Sequence, residues 1–305
     1  MTKVMKAVLL RGYGDVNHLA YEDVPMPRPS AGEVLVKVIA TSINPVDWKL
    51  RRGDLKDVMK LKFPVILGRD IAGEVVSVGE GVMRLKPGER VLGMVNQAYA
   101  EYVVCRADDL ARIPETLPSV AAAALPLVVL TGAQLIELGV RPRSGETLLI
   151  TGAVGGVGRT AVHVAKQHGA HVIAGVRRTQ QSEAERLGAD RVVALDDSKA
   201  IDGLKELDAV ADTVGQDVVG RLIPHIRKKG VLATVLGKPV SAVGHDIRVE
   251  EVRVHPDSKR LAELAQDIAR GAFTIPISKR LNLSEIRYGQ QLAEKGGIGK
   301  VVLTP

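Results

Sequence analysis

The 305-residue chain carries a single cysteine, Cys105. One cysteine excludes an intrachain disulfide framework and any zinc site with two or more thiolate ligands. It also agrees with a reducing compartment. Aromatic residues make up only 3%. The core therefore has to be built from Val, Leu, Ile and Ala, and a nucleic-acid surface of stacked rings has few residues to draw on. Long hydrophobic runs are missing as well. The longest, residues 120–133, is too short to span a bilayer and contains Pro126. Residues 1–10 read as a strand rather than a signal peptide. A soluble, cytoplasmic chain without a membrane partner is the expectation.

The rest of the composition is that of a globular protein, with 46% hydrophobic and 25% charged residues. Disorder, collagen and coiled coil do not fit it. The formal net charge of +7 suits an anionic partner, which at this level is nucleic acid, a membrane surface or a phosphorylated cofactor. The length points to about two domains.

The first hundred residues look β-rich. Residues 33–40 are dense in β-branched side chains, and Gly and Pro turn signals recur at 29–32, 79–81 and 86–89. Short strands between such turns predict a small barrel or sandwich. Residues 98–104 read as its closing strand. Near residue 119 the pattern changes. Ser119 can cap an alanine-rich helix that Pro126 ends, and a second helix is expected from Thr131 to about Gly139. Strands at 147–150, 170–176, 191–194, 207–212 and 230–236 then alternate with helical stretches. Strand and helix in alternation predict an α/β domain with a doubly wound parallel sheet. Residues 258–270 have helical spacing, with Leu261, Leu264, Ala265 and Ile268 on one face. Residues 299–303 return to strand character.

The most informative segment is Thr151-Gly-Ala-Val-Gly-Gly-Val-Gly158. It follows a predicted strand and opens a predicted helix. Ala153, Gly155 and Gly158 fit the dinucleotide fingerprint with alanine first. Gly155 lets the backbone approach a diphosphate and Gly158 lets the helix pack on its strand. Gly156 and Val157 lie at the helix N-terminus, whose free N–H groups suit phosphates. An NAD-binding unit usually ends its second strand on an acidic residue. Here that place reads Val176-Arg177-Arg178. Two guanidiniums favour the 2′-phosphate of NADP(H), the alternative being two solvated arginines at a helix start. The same loop also matches that of short-chain dehydrogenases. Those enzymes need a Tyr-x-x-x-Lys pair, and none of the five tyrosines is followed by lysine four residues on.

Further segments run the length of the chain. They are Asn44-Pro-Val-Asp47, Leu67-Gly-Arg-Asp-Ile-Ala-Gly-Glu74, Lys86-Pro-Gly-Glu-Arg-Val91, Tyr99-Ala-Glu-Tyr102, Ala123-Ala-Leu-Pro-Leu127, Leu187-Gly-Ala-Asp190, Asp212-Thr-Val-Gly215 and Gly299-Lys300. In this order and spacing the sequence resembles the zinc-independent medium-chain dehydrogenase/reductases of the quinone oxidoreductase group. The resemblance implies a GroES-like β-barrel domain over 1–120, an NADP-binding Rossmann domain over 121–272, and a segment 273–305 returning to the barrel. In zinc-containing relatives a cysteine stands where Asn44 is and a His-Glu pair where Arg69-Asp70 are, so the resemblance implies no metal. His163 and His168, five apart on a predicted helix, do not share a face as a three- or four-residue spacing would.

Without a Lewis acid, the chemistry left is hydride addition to an electron-poor acceptor, a quinone or an α,β-unsaturated carbonyl. Asn44 is a candidate donor to the developing oxyanion, or else a turn amide before Pro45. Lys49 stands where many relatives have tyrosine. It would steady an enolate or attract an anionic substrate, or simply be solvated. Trp48 would wall the pocket or fill the core, and Arg69 would pair with Asp70 or Asp47. The resemblance puts Thr131 by the nicotinamide, Val214 and Gly215 by the adenosine ribose, Leu236 and Gly237 nearer the nicotinamide, and Lys300 on a phosphate. It also implies a homodimer. The competing function is an NADPH-binding protein without turnover, crystallin-like or RNA-binding. Nucleic acid is disfavoured because the basic residues are scattered and not grouped with aromatics.

Overall fold

The computed structural model describes residues 3–297 and 299–305. The chain divides into two units, Met1–Leu127 with Pro256–Pro305, and Val128–His255. The expected boundary at 120 therefore lies at 127, and the one at 272 lies at 255. The second moves because the helix Ser258–Ala269 packs against a strand of the first unit, Leu110–Arg112.

The first unit begins with β1 (Val4–Leu10), β2 (Leu19–Pro25), β3 (Glu33–Ser42), β4 (Val65–Ile66), β5 (Asp70–Val78), β6 (Arg90–Met94), β7 (Tyr102–Arg106) and β8 (Leu110–Arg112). The second unit holds β9 (Thr147–Thr151), β10 (His171–Val176), β11 (Arg191–Ala194), β12 (Leu207–Asp212), β13 (Ile226–Thr234) and β14 (Arg248–Glu251). The first unit resumes with β15 (Ile277–Asn282) and β16 (Lys300–Thr304).

The larger sheet of the first unit runs β15-β16-β3-β5-β6-β8, with β7 also on β3, and a smaller one runs β2-β1-β4. The ten-residue β3 serves two neighbours on one edge. Its first half pairs with β7 and its end with β16, so that Ser42 faces Val302. Register shifts along the β3–β5 ladder bend it, as bulges do at barrel corners. Val34, Val36, Val38, Ile71, Val75, Val91 and Val103 fill the interior. That is the aliphatic core a chain poor in aromatics has to use. Cys105 lies against it, its thiol pushed up to about 12 by burial, which leaves it protonated and unreactive at neutral pH.

Helix α1 (Pro45–Arg52) follows β3 directly. Asn44 is its N-cap in an extended conformation, and Pro45 takes the first turn, where a missing N–H costs nothing. Lys49, Arg51 and Arg52 occupy the last turn, complementing the helix dipole. Gly53 ends it with φ of 87°, a left-handed conformation that glycine adopts without strain.

The second unit is one parallel sheet in the order β11-β10-β9-β12-β13-β14. The chain moves outward from β9 through β10 and β11, then returns to lay β12, β13 and β14 on the other side. The order thus reverses between β9 and β12, and in such sheets ligands bind outside the strand ends at the reversal.

Several local expectations needed correction. Pro118, not Ser119, caps the helix Ser119–Ala122; the Ser119 hydroxyl instead accepts from Arg90 at 3.1 Å. Pro126 opens a helix, Pro126–Gln134, where the sequence reading had it only end one. The helical stretch between β10 and β11 is α-helical only at Gln181–Ala184, with 3-10 turns on either side. β14 went unseen because Arg-Val-Glu-Glu, half of it exposed at a sheet edge, carries no strand pattern.

Candidate functional site

Of the predicted nucleotide-binding residues, those from Ala153 to Gly237 follow the ends of β9, β10, β12 and β13 in the second unit. Gly152 has φ of 62°, and the turn is closed by the Gly155 N–H donating to the Gly152 carbonyl at 2.9 Å. Gly155 caps the helix Gly156–Gln167, which places Gly156, Val157 and Gly158 in its first turn. A Cβ at Gly158 would lie 2.2 Å from the Gly152 carbonyl oxygen and 2.7 Å from the Ala153 Cα. Only hydrogen fits there, as the fingerprint requires.

The loop is held by a carboxylate that was only part of a family motif in the sequence. Asp212, 1% exposed, ends β12. Its Oδ1 accepts from the Thr151 hydroxyl at 2.9 Å and from the Val214 and Gly215 N–H groups at 3.1 and 3.0 Å. Its Oδ2 accepts from the Thr234 hydroxyl at 2.9 Å. Asp212 therefore ties the ends of β9, β12 and β13 together. Beyond it, Val214 and Leu236 are half exposed, 51% and 43%, and Gly215 and Gly237 have positive φ. Two apolar side chains standing in water at the sheet's reversal suit a planar ring system. Thr131 is buried, 5% exposed, in the helix Pro126–Gln134.

Arg177 and Arg178 both lie exposed after β10, but in different states. Arg178 donates to Asp197 at 2.5 Å, and its backbone N–H goes to Asp196 at 2.8 Å. The Arg177 guanidinium has no partner among the described residues, so it is the freer of the two for an anion.

The first unit contains a buried polar cluster around the start of α1. Asn44, Asp47 and Asp70 are 0% exposed and Lys300 is 9% exposed. Asp70 Oδ2 accepts from Ser42 Oγ at 2.6 Å, Asn44 Nδ2 at 2.7 Å and Lys300 Nζ at 3.3 Å, while its Oδ1 accepts from the Leu127 N–H at 2.7 Å. The Lys300 ammonium also donates to Asn44 Oδ1 at 2.7 Å and to the Ile43 carbonyl at 3.2 Å. Burial lowers its pKa, against the raising effect of Asp70. This differs from the expectation that Lys300 meets a phosphate: its ammonium is turned into the protein. It also differs for Asn44, whose amide is enclosed and held at both ends, a hub more than an open donor. Arg69 does not pair with Asp70 or Asp47; its guanidinium donates to Asn96 at 2.7 Å, and Lys300 is the cation that Asp70 meets.

Asp47 completes the cluster. Its Oδ2 accepts from the Asn44 N–H at 2.8 Å and the Tyr99 hydroxyl at 2.7 Å. Burial pushes its pKa up to about 6, partly offset by those two hydrogen bonds. The folded value lies above the unfolded one of 3.8, so the folded state holds this proton more tightly. The resulting stabilisation is full below pH 3.8 and is lost as pH rises through about 6. A rise from 3.8 to about 6 corresponds to about 3 kcal/mol. Asp47→Asn should therefore remove a loss of about this size between pH 4 and pH 7. Urea unfolding across that range checks it, and parallel pH profiles for both proteins would rule it out. The Asn44-x-x-Asp47 spacing is a capping signal that sequence reading could have used. Tyr99, 52 residues away, gave none.

Lys49 and Trp48 are half-buried on α1. The Lys49 ammonium stands 5.7 Å from the Trp48 ring centroid, and the Arg52 guanidinium 5.6 Å from it. Lys49 has no ion pair among the described residues.

Known proteins match this arrangement along the whole chain. Residues 30–115 match the alcohol dehydrogenase GroES-like domain, and residues 156–252 match the zinc-binding dehydrogenase family. The quinone-oxidoreductase QR1, chloroplastic, of Triphysaria versicolor is 30% identical, the match covering 99% of both chains. The chain belongs to the medium-chain dehydrogenase/reductase family, in its quinone oxidoreductase group. A spinach quinone-oxidoreductase homolog is 37% identical, over 63% of this chain and 61% of its own length. This chain thus spans about three fifths of that relative. The quinone oxidoreductase from Coxiella burnetii superposes with a TM-score of 0.90 at 29% identity, covering 99% of this chain and 100% of that one. The GroES-like domain and the Rossmann-type domain that the family implies are both present.

Proposed function

We propose that the protein is an NADPH-dependent, zinc-independent reductase that passes hydride to a quinone or an α,β-unsaturated carbonyl. The observation that carries this reading is the glycine turn and helix N-terminus at the reversal of the parallel sheet, with arginine instead of an acid after β10. The relatives' names support the acceptor class. Besides the quinone oxidoreductases, a 2-methylene-furan-3-one reductase of Solanum lycopersicum is 33% identical, over 79% of this chain and 64% of its own length.

A zinc ion does not fit the residues around Asn44. An amide, an arginine and a carboxylate already facing an ammonium make a poor donor set for a divalent cation. Among the described residues, no group of three or more His, Cys, Asp or Glu could hold a metal.

When bound, the reduced nicotinamide supplies hydride to the electron-poor carbon of the acceptor. The helix N–H groups at Gly156, Val157 and Gly158 hold the diphosphate. Arg177 takes the 2′-phosphate, with Arg178 held beside it by Asp197. Val214, Gly215, Leu236 and Gly237 bracket the rings and riboses, and Thr131 contributes to the nicotinamide end. Lys49 steadies negative charge on the acceptor oxygen, and Asn44 serves by fixing the start of the helix that carries Lys49. The proton comes from water.

NADPH oxidation assayed against a panel of quinones and enones tests this, with NADH and a chelator as controls. Turnover should survive the chelator and favour NADPH. Arg177→Ala should raise KM for NADPH about tenfold to a hundredfold, the worth of one or two charge-assisted hydrogen bonds, and leave KM for NADH nearly unchanged. Tight NADPH binding with no turnover on any acceptor would mean a binding protein instead.

A further inference from the structure

One surface of the first unit carries none of the residues assigned above to hydride transfer. After α1 the chain runs through turns over residues 53–58. Leu55 and Leu61 point inward, onto the cluster that contains Val8, Leu10 and Leu50. The Leu61 N–H donates to the Tyr13 hydroxyl at 3.1 Å, and the Met59 N–H to the Leu55 carbonyl at 2.8 Å. With the segment anchored in this way, three other apolar side chains reach the surface: Val58 is 67% exposed, Met59 40% and Phe63 36%, the Phe63 ring packing edge-on against Tyr13 at 4.8 Å. Lys56, Lys60 and Lys62 are exposed among them. None of these three ammoniums has a partner among the described residues. Asp57 is the one acid in residues 56–63.

Single exposed apolar residues are ordinary on protein surfaces. Three within six residues, interleaved with three unpaired lysines, form a patch with two chemistries. A nucleic acid would meet the lysines and leave the valine and methionine in water. An apolar protein groove would cover the side chains of Val58 and Met59 and strand the cations. A bilayer with anionic headgroups satisfies both, apolar below the headgroups and negative at its surface. We propose that residues 56–63 rest on an anionic lipid surface, with Val58, Met59 and Phe63 entering the headgroup–acyl boundary and Lys56, Lys60 and Lys62 meeting lipid phosphates. The expectation of no membrane partner came from the missing hydrophobic run. Among the described residues no helix is long enough and apolar enough to cross a membrane, and this contact would be peripheral. It stands independently of the cofactor and acceptor assignments.

Sedimentation of the full chain with vesicles tests it, without cofactor or acceptor. Vesicles of phosphatidylcholine with about one third phosphatidylglycerol should bind the protein at low salt, and pure phosphatidylcholine should bind it far more weakly. Raising salt from about 0.05 M to 0.5 M should weaken binding about tenfold or more, because these charges are exposed. Lys56→Glu with Lys60→Glu should do the same at low salt, and Val58→Asp with Met59→Ser should also reduce binding severalfold. The unfolding midpoint of each double variant should stay near that of the parent, since all four side chains are exposed. The proposal is overturned if the parent does not bind the anionic vesicles at low salt. It is equally overturned if either double variant binds as the parent does, which would place the contact elsewhere or leave the apolar residues uninvolved.

Discussion

Lys300→Met should destabilise the protein by about 3–5 kcal/mol, the usual cost of removing one partner from a buried ion pair. The methionine roughly keeps the side-chain volume and removes the charge. Asp70 would then be left 0% exposed with no cation facing it, and Asn44 Oδ1 would lose the donor that fixes its amide. The Ser42, Asn44 and Leu127 hydrogen bonds to Asp70 remain, so the carboxylate would stay solvated by the protein but uncompensated. Lys300→Gln keeps a donor and loses the charge, and should fall between parent and methionine. Denaturant unfolding of the three proteins measures both differences. A methionine variant within about 1 kcal/mol of the parent would show that Asp70 is neutral or reached by water.

Gly158→Ala should abolish useful dinucleotide binding and cost about 3 kcal/mol of stability, the upper part of the range for overpacking. The new methyl group would meet the Gly152 carbonyl oxygen at 2.2 Å and the Ala153 Cα at 2.7 Å. Both are backbone, and a flexible side chain cannot swing away to relieve them. Helix Gly156–Gln167 would have to lift from β9, carrying its N–H groups off the diphosphate position. Gly155→Ala is a useful contrast. There the added carbon meets only the Gly152 carbonyl oxygen, at 3.2 Å, so stability should change by less than about 1 kcal/mol while binding weakens. NADPH fluorescence titration and thermal unfolding of both variants separate the two effects. An alanine at 158 that binds like the parent would overturn the assignment of the turn.

The nucleotide-binding half was legible because its signals are local. Strand, glycine turn and helix are consecutive from Thr147 to Gln167, and Arg177 and Arg178 follow the next strand. The polar cluster was not legible as a cluster. Ser42, Asn44 and Asp47 share one stretch of chain, but Asp70, Tyr99 and Lys300 come from three others, and Lys300 joins when β16 pairs with the end of β3. No spacing rule reports a contact between residues 256 positions apart. Lys300 was therefore placed on a phosphate by the resemblance, and Arg69 was expected to pair with Asp70 or Asp47 across the space a metal occupies in relatives. Asp70 opens β5 and is buried, while Arg69, just before the strand, reaches Asn96 with its guanidinium.

The late position of β16 also sets an order on biosynthesis. Residues 128–255 are continuous, and that unit has all of its own strands once residue 255 has left the ribosome. The N-terminal unit, made first, does not. Until residue 300 emerges, Asp70 has no lysine to face and the β3 edge beside Thr41 and Ser42 has no partner strand. Domains usually complete in the order of their synthesis; here the middle of the chain finishes ahead of its beginning.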